Sequence, residues 1–133
     1  MSAERLLAEA RSILLVDWPS RDVPDSLARA GLAVVSLEGD DAYYDYRVAG
    51  AEVTRNRALQ SPAQVDLVYA HRPLAELPGI VDEALRLGAR AVWLQSVSDD
   101  EAVLARKLVD EAGLEVVCEP YIGDVARSLS VGR

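Results

Sequence analysis

The stretch Val65-Asp66-Leu67-Val68-Tyr69-Ala70, together with the helix and strand patterns C-terminal to it, limits the possible folds more than any other feature of the chain. An apolar run of strand length ends in the polar cluster His71-Arg72-Pro73. A helix pattern starting near Pro78 then places Ile80, Val81, Ala84, Leu85 and Leu87 on one face and stops at Gly88. It returns the chain to a second apolar run, Ala91 to Leu94. Strand, helix and strand in this order form a βαβ unit, whose two strands run parallel. Apart from Asp66 both runs are apolar throughout, as is the continuous run Ile13-Leu14-Leu15-Val16, which strands buried on both faces require.

The same alternation extends in both directions. Ser2 opens a short helix pattern as N-cap, with Leu6, Leu7 and Ala10 on one face. Ile13-Leu14-Leu15-Val16 comes next as a buried first strand. Asp17-Trp18-Pro19-Ser20-Arg21-Asp22 is the turn into a second helix, for which Asp22 is the expected N-cap and Gly31 the stop. Ala33 to Leu37 is the second strand. Residues 38–60 are the least regular part, with a short strand expected around Val53. Beyond Leu94, Ser98-Asp99-Asp100-Glu101 is a capping signature for a helix reaching Ala112 and ending at Gly113. Leu114 to Cys118 is the last strand, and a short helix is expected near Asp124–Leu129. The reading is one α/β domain over residues 1–133, a Rossmann-like three-layer sandwich whose mostly parallel sheet has five or six strands.

Charge narrows the partners. A formal net charge of −8 argues against a nucleic-acid backbone or an anionic membrane surface as the main partner. An anionic small ligand remains compatible, because a few local arginines and a helix N-terminus act at short range. The lone Cys118 excludes an intramolecular disulfide and a cysteine-based metal cluster. With no apolar run of membrane-spanning length and no basic-then-apolar N-terminus, the expected location is cytoplasmic.

Several of the quoted segments carry a resemblance. Val65-Asp66-Leu67-Val68, Arg72-Pro73, the helix end Leu87-Gly88-Ala89, Val92-Trp93-Leu94-Gln95 and Ala112-Gly113-Leu114-Glu115-Val116-Val117 resemble the small single-domain CoA-binding proteins. Pro19-Ser20, with Val23, Leu27 and Gly31 after it, is similar to the start of that family's first crossover helix. The resemblance covers nearly the whole chain and implies a Rossmann-like domain holding coenzyme A through its ADP portion. The chain departs from the pattern in three places. Val16-Asp17-Trp18 runs directly into Pro19 without the glycine-containing loop that wraps the pyrophosphate, and no glycine precedes Gly31. The second strand ends Leu37-Glu38-Gly39 rather than in an Asn-Pro pair. Tyr121 stands where the family often has a cysteine.

The candidate ligand rim gathers residues expected just beyond the carboxyl ends of the strands, where open parallel sheets bind ligands. Trp18, Pro19, Ser20 and Arg21 form the first turn: either its N–H groups, the Ser20 hydroxyl and Arg21 meet a phosphate, or it is a capped helix start with Trp18 packed on the sheet edge, flanked by Asp17 and Asp22. Glu38 is where dinucleotide folds place an acid for a ribose hydroxyl. Arg72, beside His71 and Pro73, either contacts a phosphate or carboxylate or pairs with Glu76 or an acidic loop residue. Gln95 and Ser96 either bond a pantetheine amide or adenine edge or satisfy a loop backbone. Tyr121 closes the rim or caps the sheet. The segment Asp40–Tyr46, with three aspartates and three tyrosines, reads as a solvated loop or partner surface.

One histidine and one cysteine, with no paired nucleophile and base, leave no complete catalytic constellation. The expectation is therefore non-catalytic binding of coenzyme A or a related adenine nucleotide. The alternative is an interaction or scaffold protein that kept the fold and lost the ligand, acting as a homodimer or through a protein partner at the 38–47 loop.

Overall fold

The computed structural model describes residues 2–38, 42–95 and 97–131. Helix α1 (Ala3–Glu9) leads into strand β1 (Ser12–Val16), helix α2 (Asp22–Arg29) and strand β2 (Ala33–Glu38). Strands β3 (Ala42–Ala49) and β4 (Glu52–Ala58) come next, then β5 (Leu67–Ala70), a 3-10 turn (Leu74–Glu76) and α3 (Leu77–Arg86). The chain ends with β6 (Ala91–Leu94), α4 (Asp99–Glu111), β7 (Glu115–Val117) and α5 (Ile122–Val131).

All seven strands form one sheet in the order β4-β3-β2-β1-β5-β6-β7. The five from β2 to β7 across the centre are parallel, while β3 and β4 add an antiparallel extension beside β2. The α/β sandwich is as expected, but the sheet has seven strands where the pattern suggests five or six. The difference lies in residues 42–58, where the pattern suggests one short strand and a hairpin of two long ones occurs. Gly50 opens its two-residue turn with φ 63°, a value that a tight hairpin demands and glycine meets without a Cβ clash.

Alternation along each parallel strand divides the core into two layers. Ile13, Leu15, Leu67, Tyr69, Ala91 and Trp93 point to one face and pack under α1, α2 and α5. Leu14, Val68, Ala70, Val92 and Leu94 point to the other, under α3 and α4. This is why the strand sequences are continuously apolar: each neighbouring pair feeds both layers. Helix ends follow local chemistry. The Ser2 hydroxyl accepts from the Arg5 N–H, and Ser98 with Glu101 makes a full capping box at α4. Gly31, Gly88 and Gly113 take positive φ where the preceding helices stop. Asp22 corrects the expectation: it is the first residue of α2, the N-cap position belongs to Arg21, and no side chain caps that end. The Asp22 carboxylate is instead turned toward α5, where Tyr121 and Arg127 donate to it. No helix among the described residues is long and apolar enough to cross a membrane.

Candidate functional site

The chain leaves β1 toward β2 on one side and later returns to β5 on the other, so the carboxyl ends of β1 and β5 flank the point where strand order reverses. A crevice opens there in any such sheet, because the two connections diverge. In this protein it is a cleft of about 650 Å³ lined by Val16, Asp17, Trp18, Leu37, Glu38, Arg72 and Glu76. A shallower annex of about 370 Å³ shares Val16, Leu37 and Glu76 and continues along α3 past Gly79, Ile80 and Glu83.

The floor is set by register. Val16 lies opposite Ala70, and the His71 N–H donates to the Val16 carbonyl at 3.3 Å, so the polar residues after both strands emerge side by side. The turn after β1 then bends without glycine. Asp17 takes it at φ 63°, and its own Oδ1 accepts the Trp18 N–H at 2.9 Å. Aspartate tolerates this left-handed conformation better than most residues because its short side chain bonds locally. The turn thus solves the geometric problem of a glycine loop but puts a carboxylate where a phosphate-binding loop offers bare N–H groups. Pro19, next but one, contributes no N–H at all.

Electrostatics come from the lining. Asp17, Glu38 and Glu76 are acidic; Arg72 faces them as the one basic residue among the described lining. Its Nη1 donates to Asp17 Oδ2 at 3.1 Å, while Nε and Nη2 donate to Glu76 Oε2 at 2.9 and 2.6 Å. Of the readings of Arg72, the ion pairs are present, with Glu76 and with the acidic loop residue Asp17, which completes a bridge across the cleft mouth. Glu38 is also pinned. Its Oε2 accepts from Arg55 Nε and Nη2 at 3.0 and 2.6 Å and from the Ser36 hydroxyl at 3.2 Å. Arg55 in turn lies 3.6 Å above the Tyr44 ring. Trp18 packs edge-on against Tyr46, with ring centroids 6.3 Å apart.

The other expected rim residues separate into two groups. Arg21 is drawn away, donating to the Val53 carbonyl at 2.9 Å and pairing with Asp25. Pro19, Ser20 and Pro73 are exposed and His71 is half-buried, none of them lining the cleft. Gln95 holds backbone: its Oε1 accepts the Ile122 N–H at 2.8 Å. Tyr121 donates to Asp22 Oδ2 at 2.8 Å and so ties the segment after β7 to α2. Ser96 and Gly39–Asp41 lie outside the described residues. The tyrosines of the 40–46 segment belong to β3, where Tyr46 is core and Tyr43 packs toward α3. Trp93 is buried, and its Nε1–H donates to the Pro120 carbonyl at 3.1 Å. Burial pushes the Cys118 thiol up, away from thiolate reactivity.

Sequence reading missed Arg55. The signal was present: Tyr44, Tyr46 and Val48, then Val53, Arg55 and Arg57, alternate about Gly50-Ala51 as a hairpin does. In register Arg55 lies opposite Tyr46, itself opposite Val34 near the start of β2, and its side chain slants along the sheet to Glu38, seventeen residues away in sequence.

Size and position of the cleft fit part of an adenine nucleotide, while its charge fits phosphate poorly. Among the described residues no group of three or more His, Cys, Asp or Glu is placed to hold a metal ion. Solved structures share the fold. Prb, a protein redesigned for binding, superimposes with a TM-score of 0.69 at 22% identity, over 98% of this chain and 90% of its own. A Thermus thermophilus protein does so at 0.59 and 25% identity, over 94% of each chain. An uncharacterized protein gives 0.56 and 15% identity, over 92% of this chain and 96% of its own. No curated protein matches the chain. The family model described as CoA binding domain matches residues 15–122, a span running from the end of β1 to the start of α5 and enclosing every residue of the cleft, and the chain belongs to that family.

Proposed function

We propose that this protein binds coenzyme A or a related adenine nucleotide, without catalysis, in the cleft between the ends of β1 and β5. The observation that carries this is the 650 Å³ cleft at the strand-order reversal of a CoA-binding family domain. In this reading Arg72 is the phosphate contact and exchanges a carboxylate partner for the ligand. Trp18 offers an aromatic wall, and Leu37 and Val16 offer apolar contact for a base or a pantetheine chain. Calorimetric titration with CoA, using ADP and NAD as comparators, tests it. Saturable binding that weakens at least about tenfold in Arg72→Ala supports the reading. Asp17→Gly should bind more tightly than wild type, since it removes a carboxylate partner of Arg72 and opens the turn. No heat from any ligand with wild type or Asp17→Gly would refute it.

A second reading has its own support. Arg72 already bridges two carboxylates and Arg21 is tied to β4, so the cations of the rim are committed. A scaffold that kept the fold and gave up the ligand would use them this way, with a partner or second copy as its target. It requires flat titrations together with a stable homodimer or a specific co-purifying protein.

A further inference from the structure

The strongest unexplained arrangement in the molecule is the fixing of Glu38. It ends β2 and lines the cleft, yet three donors converge on one of its oxygens, Oε2: the Ser36 hydroxyl and two nitrogens of Arg55. No described residue donates to the other oxygen, Oε1. Arg55 is itself braced, stacked 3.6 Å over Tyr44, on a strand paired in register with β3. A surface carboxylate needs no such support for solubility. A carboxylate that must accept bonds in a fixed direction does, because orientation lost on binding opposes affinity.

We infer that Glu38, positioned by Arg55 and Ser36, reads an unphosphorylated ribose in this cleft, so that the protein prefers dephospho-CoA and other nucleotides with a free ribose diol over CoA itself. This rests on the binding reading above and deepens it. An acid at the end of the second strand of a dinucleotide-type sheet lies beside the ribose of a bound adenosine. A vicinal diol donates two hydrogen bonds to a carboxylate. A phosphate on the same ribose donates none at neutral pH and brings a like charge against Glu38, which Arg55, bonded to the other oxygen, offsets only in part. Asp17 and Glu76 add negative charge to the same cleft, and the one basic residue of the described lining, Arg72, already bridges both. Two charges about 4 Å apart near a protein surface interact by enough to shift affinity about tenfold or more. The missing glycine loop points the same way, since Asp17 stands where N–H groups would otherwise welcome charge.

The test is titration of the full chain with CoA and dephospho-CoA, which differ only in the ribose phosphate. Dephospho-CoA should bind at least about tenfold more tightly. In Glu38→Gln the gap should narrow to about threefold or less, chiefly because CoA gains affinity. Ellipticity of the variant should match wild type, because glutamine keeps the shape and one acceptor for Arg55. Equal binding, or tighter binding of CoA, by wild type overturns the inference and leaves the binding reading standing. A preference for dephospho-CoA that Glu38→Gln leaves intact also overturns it, since the discrimination would then come from elsewhere. If neither ligand binds, both fall.

Discussion

Two arginines in this molecule each bridge a pair of carboxylates, and they serve different ends. Arg127 of α5 donates through Nη1 to both oxygens of Asp22, at 2.6 Å each, and through Nη2 to Asp124. Asp22 also accepts from the Tyr121 and Ser26 hydroxyls, at 2.8 and 3.0 Å. That cluster joins two helices over the buried layer of Val23, Leu27, Ile122 and Ala126. Arg72 has a similar pair in Asp17 and Glu76, but these stand at the mouth of a cleft, with open space behind them. The first bridge is as open to solvent as the second, but Asp22 is also tied by two hydroxyl bonds, and these would be lost with it. The second is screened to the same degree and faces a cleft, where a ligand can replace a carboxylate at little expense. A charged bridge therefore marks structure or site according to what else depends on it.

Breaking the first bridge sterically should have the largest effect. Gly123, in the first turn of α5, has no room for a side chain: a Cβ there would lie 2.6 Å from Asp22 Oδ2 and 2.6 Å from the Tyr121 ring. Gly123→Ala should destabilise the fold by about 1–3 kcal/mol, as overpacking does, read as a lower urea midpoint at unchanged slope. Gly79, beside the cleft annex, is the matched control, with nothing within 4 Å of its virtual Cβ. Gly79→Ala should be neutral or stabilise by up to about 1 kcal/mol, since a helical glycine gives way to a better helix former. If both variants lose stability equally, the contrast between a packed bridge and an open cleft is wrong.

Much of this was legible in the chain. The apolar runs of β1, β5 and β6 announced the parallel sheet, because burial on both faces leaves no polar position there to mistake. Ser98-Glu101 announced its helix because both halves of the capping box lie within four residues. The hairpin was harder to read: Tyr43, Tyr44 and Asp45 in succession are all half-buried, so its alternation is not one of apolar with polar. Asp22 looked like an N-cap because an acid before a helix usually is one. Its actual partners, Tyr121 and Arg127, come from about a hundred residues away, and no local rule reaches that far. For the same reason Arg72 was recognisable as a rim residue and as a partner of Glu76, one helical turn on, while its bond to Asp17 required the register of β1 on β5.

A titration sharpens the comparison next. The Arg127 guanidinium, and after it the Tyr121 hydroxyl, hold the Asp22 carboxyl below the usual carboxylate range. A carboxyl depressed on folding adds stability that is present above its unfolded value, near pH 4, and is lost as pH falls through the folded value. Asp22→Asn should therefore be less stable than wild type at pH 7, by about 1–2 kcal/mol after solvent screening is allowed for. The difference should shrink as pH falls below about 4, because wild type then loses the same charge. A gap that stays constant from about pH 7 to about pH 2.5 would assign the effect to shape rather than charge.

The smallest expected stability effect belongs to Arg72, and its smallness is the point. Both of its carboxylate partners are about half exposed, so salt screens each contact and solvent replaces it readily. Arg72→Ala should melt within about one degree of wild type at about 0.15 M salt. Raising salt to about 1 M should leave the two proteins equally close, because screening removes from wild type what the substitution removes from the variant. Ligand affinity should nevertheless fall, as the exchange of a carboxylate for a phosphate on Arg72 requires. An arginine whose loss leaves the melting temperature unchanged and weakens binding is held by its carboxylates for exchange. One whose loss lowers the melting temperature by several degrees is a second structural bridge, and the cleft would then have no cation to offer a phosphate.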